Sequence, residues 1–130
     1  MLTKVTHISL LVHNQDDALH FYTNILGFKL HTDVIMENGF RWLTICFKNQ
    51  PDLEVALILA KTPQEKSLVG KQAATYPFIC ILTDDCKKDY EFLKANGVEF
   101  IQEPRQQPWG IEALFKDLYG TVIDICQAVK

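Results

Sequence analysis

No stretch of this 130-residue chain approaches the roughly 18–20 consecutive apolar residues that span a bilayer; the longest strongly apolar run is Val55-Ala56-Leu57-Ile58-Leu59-Ala60. Positive charge is scarce as well. Lys and Arg number 13 against 16 Asp and Glu, for a net charge of −3 and a pI near 5.7. That balance offers no basic field to nucleic-acid phosphates or to an anionic membrane surface, and the basic pair Lys87-Lys88 is flanked by Asp84, Asp85 and Asp89. The segment Met1–His7 carries one Lys, and His7 and Ser9 interrupt any apolar core, so a signal peptide is not expected. The cysteines Cys46, Cys80, Cys86 and Cys126 lack C-x-x-C spacing, and three lie in apolar runs where buried, reduced thiols are usual. They are expected to be free thiols in a reducing cytoplasm. Low-complexity sequence, a Gly-rich phosphate loop, a G-x-S-x-G nucleophile and a Cys/His pair with nucleophile spacing are all missing.

What is present is enough apolar residue (48%) for one compact domain, residues 1–130, and an internal repeat. The first half runs His7-Ile8-Ser9-Leu10-Leu11-Val12, a helical stretch Asn14–Leu26, then Gly27-Phe28-Lys29-Leu30. The second runs Phe78-Ile79-Cys80-Ile81-Leu82-Thr83, a helical stretch Asp85–Asn96, then Gly97-Val98-Glu99-Phe100. Ala18, Phe21, Tyr22 and Ile25 recur at helical spacing behind the cap Asn14; Cys86, Tyr90 and Leu93 do so behind Asp84 or Asp85. Two further strand-like runs follow in each half: Arg41–Phe47 and Leu53–Ala60, then Ile111–Phe115 and Thr121–Gln127, with turns at Pro51-Asp52 and Leu118-Tyr119-Gly120. The expected fold is α+β: two βαβββ modules, about 1–61 and 76–130, forming a cupped eight-strand mixed sheet with helices on its outer face. Residues 62–75 link the modules and have room for a short helix.

Alternation divides each strand into a core face and a mixed face. On the mixed face lie His7, Ser9 and Leu11; Glu54, Ala56 and Ile58; Trp42, Thr44 and Cys46; and, in the second half, Glu112, Leu114, Lys116, Asp124 and Cys126. A constant repeat offset of 70 maps Glu54 onto Asp124, and the first strands map His7 onto Phe78. An imidazole and two carboxylates around one point make a plausible metal set. Buried acids need a metal, a proton or a basic partner, the last available from His7, Arg41 or Lys116. Trp42 and Glu112 occupy equivalent positions lining the same face, with Glu112 alternatively pairing with Arg41 or Arg105. Pro104–Gly110, with Trp109, is either a flap or an ordinary crossover loop. His13, His20 and His31 receive no role.

These residues, notably His7-Ile8-Ser9, Ala18-Leu19-His20-Phe21-Tyr22-Thr23, Leu26-Gly27-Phe28, Asn96-Gly97-Val98-Glu99-Phe100 and Gly110-Ile111-Glu112-Ala113, resemble the vicinal oxygen chelate superfamily. That superfamily includes glyoxalase I, extradiol dioxygenases, fosfomycin-resistance proteins and bleomycin-binding proteins. The resemblance implies that the metal ligands fall on His7, Glu54 and Asp124, with Phe78 where a His is usual and Asp124 where a Glu is usual. It implies a divalent ion (Zn, Ni, Mn or Fe), no organic cofactor, a homodimer, and Glu54 or Asp124 as the catalytic base. The expected activity is that of a glyoxalase-like lyase or isomerase on a small oxygen-chelating metabolite. The alternative is a metal-free protein of the bleomycin-sequestering kind, in which Trp42, Phe78 and Trp109 stack on a planar ligand and Glu112 supplies charge.

Overall fold

The computed structural model describes residues 1–129, and the chain divides into two compact units, Met1–Val69 and Gly70–Lys130. Each contains one four-stranded mixed sheet, so the α+β class and the two βαβββ modules stand as expected.

In the first unit β1 (His7–Val12) leads into α1 (Gln15–His20), which loosens into a π-helical turn over Phe21–Ile25. Asn14 caps α1 by accepting from the Asp17 N–H at 2.8 Å. The switch from α to π pitch has a local cause. Thr23 Oγ1 donates to the Leu19 carbonyl at 2.6 Å, and the Leu26 N–H then reaches back five residues to Phe21. The remaining strands are β2 (Lys29–Ile35), β3 (Arg41–Phe47) and β4 (Gln50–Leu59), in spatial order β1-β4-β3-β2 with β1 parallel to β4. Leu10, Val12, Ala18, Tyr22, Leu43, Ile45, Val55 and Leu57 form the buried core. A short α2 (Pro63–Leu68) follows, started by a Thr62–Glu65 capping box, and it supplies the helix foreseen for the linker.

The second unit repeats the order: β5 (Ile79–Leu82), α3 (Cys86–Ala95), β6 (Phe100–Gln107), β7 (Gly110–Lys116) and β8 (Val122–Ala128), arranged β5-β8-β7-β6. Asp85, not Asp84, is the cap of α3. Cys86 and Leu93 on α3, which packs on β7 and β8, are buried, as are Ala113, Phe115, Ile123 and Ile125 of those strands. Gly27 and Gly97 both take positive φ where their helices stop, so the duplicated terminators work as the sequence suggests.

Two turns differ from expectation. Pro51-Asp52 is not a turn: β3 and β4 are joined at Lys48-Asn49, and Pro51 lies at the start of β4 before β1 flanks it, where its missing N–H breaks no ladder bond. Pro104–Gln107 is not a flap but part of β6, which turns into β7 through Pro108-Trp109 and leaves Trp109 exposed at the hairpin tip.

Candidate functional site

The mixed face of the first sheet carries a polar cluster built around Glu54. The β1–β4 register sets His7 opposite Glu54, and His7 Nε2 lies 2.9 Å from Glu54 Oε2. Thr44, fully buried on β3, donates its hydroxyl to Glu54 Oε1 at 2.6 Å. The third partner is His31, whose Nδ1 lies 3.0 Å from the same Oε1. Both imidazole nitrogens lie within hydrogen-bond distance of the carboxylate oxygens. His7 is therefore satisfied on both sides, since its Nδ1 bonds the Thr6 hydroxyl at 2.8 Å. Trp42 completes the cluster, with its ring 5.4 Å from that of His7. Arg41, one of the basic partners considered for the acids, is instead held by Asp16 and by both oxygens of Asp33.

His31 had no role in the sequence reading, and the reason is a β-bulge. Leu30 pairs with Ile45 and Thr32 with Thr44, so His31 is an extra residue in β2, turned toward the neighbouring strands. The same bulge recurs at Ile101, between the Phe100–Phe115 and Gln102–Leu114 pairs. Bulges have no composition signature, but their recurrence at equivalent places marks them as part of the module.

The second sheet carries its own acidic pair. Asp124 on β8 stands opposite Leu114 on β7 and Cys80 on β5, and Glu112 stands opposite Cys126. Asp124 is buried, and that burial, followed by its hydrogen bond and charge repulsion with Glu112, pushes its pKa up to about 7. Lys116 gives no help, being paired with Glu99 at 3.1 Å. Phe78 precedes β5 and donates its backbone N–H to the Val122 carbonyl at 2.8 Å.

The registers also revise the repeat mapping. Val55 pairs with Ile45 and Ile123 with Phe115, so Ala56, which faces Thr44, is the counterpart of Asp124, and Glu54 is the counterpart of Val122. The cause is the longer β3–β4 hairpin, whose Lys48-Asn49 turn a constant offset cannot register. The first strands do match as expected, with Ile8 equivalent to Ile79 and hence His7 to Phe78.

The donor set does not suit a divalent ion. Phe78 and Ala56 offer no lone pair at the repeat-related positions. Among the described residues, neither unit groups three His, Cys, Asp or Glu side chains so as to hold a metal.

The family profile of the glyoxalase/bleomycin resistance protein/dioxygenase superfamily matches residues 4–125. The chain belongs to that superfamily. An uncharacterized protein of Shewanella frigidimarina (strain NCIMB 400) is 33% identical over 128 residues, 98% of this chain and 95% of that one. Among solved structures, UcmS2 is 29% identical with a TM-score of 0.85, covering 98% of this chain and 100% of that one. TnmS3, an antibiotic-binding protein from Streptomyces sp. CB03234, is 30% identical with a TM-score of 0.81, covering 98% of each. Superfamily membership accounts for the duplicated βαβββ order. The chemistry has to come from the side chains on each sheet. No helix among the described residues is long and apolar enough to cross a membrane.

Proposed function

We propose that this superfamily member is a metal-free binding protein for a small aromatic molecule, taken against Trp42 on the first sheet. The observation that carries the reading is the closed hydrogen-bond set of Glu54. Thr44, His31 and His7 occupy its two oxygens, so the carboxylate fixes two imidazoles rather than waiting for a cation. What the cluster offers a ligand is an aromatic wall, Trp42 with His7, beside the partly exposed imidazole of His31. Similarity to the antibiotic-binding TnmS3 supports the same reading. Trp42 and Trp109 are the two tryptophans, so titration with bleomycin and with polycyclic aromatic antibiotics is read by their fluorescence. At least one ligand is expected to quench Trp42 saturably, with the signal lost in Trp42→Phe and kept in Trp109→Phe. Failure of every ligand to change Trp42 emission overturns the reading.

The second reading is a divalent-metal-dependent lyase or isomerase acting on a small oxygen-chelating metabolite, with His7, Glu54 and Asp124 as ligands. It draws on the close approach of His7 to Glu54. It requires about one Zn, Ni, Mn or Fe per chain in elemental analysis of untagged protein, lost in His7→Ala. The binding reading requires none, even after incubation with excess ions.

A further inference from the structure

We propose that Asp124 and Glu112, on the mixed face of the second sheet, form a subsite for a protonated amine carried on an apolar framework. This rests on the binding reading above and names the class of ligand. The pleat sets Glu112, Leu114, Asp124, Cys126, Cys80 and Leu82 on one face, while Ile123 and Ile125 point into the core. Asp124 is only 7% exposed, yet its Oδ1 has no hydrogen-bond partner among the described residues. A buried carboxylate oxygen left in that state is destabilising, and a donor brought by a ligand relieves it. No basic side chain among the described residues of the unit supplies that donor. Lys116 is bound to Glu99, and Arg105, although opposite Glu112 across β6 and β7, forms no ion pair with it. Asp124 and Glu112 share a hydrogen bond but repel when both are ionised, and an ammonium group relieves that repulsion. Its three N–H donors match the unpartnered Oδ1 and the neighbouring Glu112 carboxyl.

The surroundings restrict what carries the ammonium. Leu82 is 75% exposed, and Leu114 stands beside Asp124, so the acids have apolar neighbours instead of the polar rim that suits a hydrated metal or a polyamine. An amine on an aromatic or aliphatic body meets both features at once. A neutral ligand of the same shape meets only the leucines.

The test compares 1-naphthylmethylammonium with its neutral counterpart 1-naphthylmethanol, followed by amide NMR shifts and by Trp fluorescence. The ammonium is expected to bind at least tenfold more tightly and to shift amides of β7 and β8 around Glu112 and Asp124. Glu112→Gln and Asp124→Asn are each expected to bring its affinity down to that of the alcohol; Glu112, being less buried, is the variant safer for folding, and circular dichroism checks both. Equal affinity of the two probes, or shifts that bypass β7 and β8, overturns the subsite and leaves the Trp42 site standing. Shifts at β7 and β8 with Trp42 unperturbed support the subsite and count against the Trp42 reading. Silence from both probes overturns the subsite. Competition by Zn or Mn for the same amides returns the acids to a metal and also overturns it.

Discussion

Glu54 accepts from one hydroxyl and two imidazoles, and the bond from Thr44 is the most buried of the three. A hydrogen bond to a charged group contributes about 1.5–3 kcal/mol, so Thr44→Val, which keeps shape and removes the donor, is expected to lower unfolding stability by about 2 kcal/mol, with Thr44→Ser close to wild type. Urea denaturation checks both. Asp124 behaves in the opposite sense. Its folded-state pKa is raised from 3.8 to about 7, chiefly by burial and then by Glu112. A raised carboxyl holds its proton more tightly when folded, so its contribution is complete below pH 4 and is lost as pH rises toward and past 7. Asp124→Asn is therefore expected to flatten the stability profile between pH 4 and 8 and to exceed wild type at pH 8 by on the order of 2 kcal/mol. A steeper dependence in the variant contradicts this. His7, Glu54 and Trp42 were legible as residues sharing a face because strand alternation is local information. His31 was not, because its orientation is set by a pairing to β3 that no local pattern encodes.

At the scale of elements, the helices and their stops were the most readable parts, since caps and terminal glycines act within a few residues of themselves. Hairpin lengths were less readable. Pro51-Asp52 has turn chemistry yet enters β4, and that displacement is what separates Glu54 from Asp124 in the repeat. The β6–β7 hairpin shows how tightly such a register is fixed. Gly110 has φ +145°, and a Cβ there would stand 2.1 Å from the Gln127 carbonyl oxygen on β8. Since that neighbour is backbone, Gly110→Ala is expected to cost about 3 kcal/mol or more, through both the clash and the conformation. Gly39, also at positive φ but with open space around its Cβ, is expected to tolerate Ala at about 1 kcal/mol. Comparable losses at the two positions would mean that the β7–β8 approach yields easily.

For the whole molecule, the duplicated module fixes which faces are core and which are mixed, and the mixed faces hold two different chemistries: a carboxylate closed by imidazoles and a hydroxyl on the first sheet, and an acid pair with an open oxygen on the second. On the metal-free reading, stability is expected to be indifferent to chelation. Protein dialysed against EDTA should melt within about a degree of untreated protein, and added Zn, Ni or Mn should not raise the melting temperature. A ligand that binds the folded chain alone must do the opposite. At a hundred times its dissociation constant it adds about 2.7 kcal/mol, enough to raise the melting temperature of a chain this size by roughly 10 °C. The pair of measurements separates the two readings without knowledge of any reaction. A chelator-sensitive melt restored by one divalent ion would assign His7 and the acids to a metal after all, and a melt moved only by an aromatic amine would assign the chain to binding.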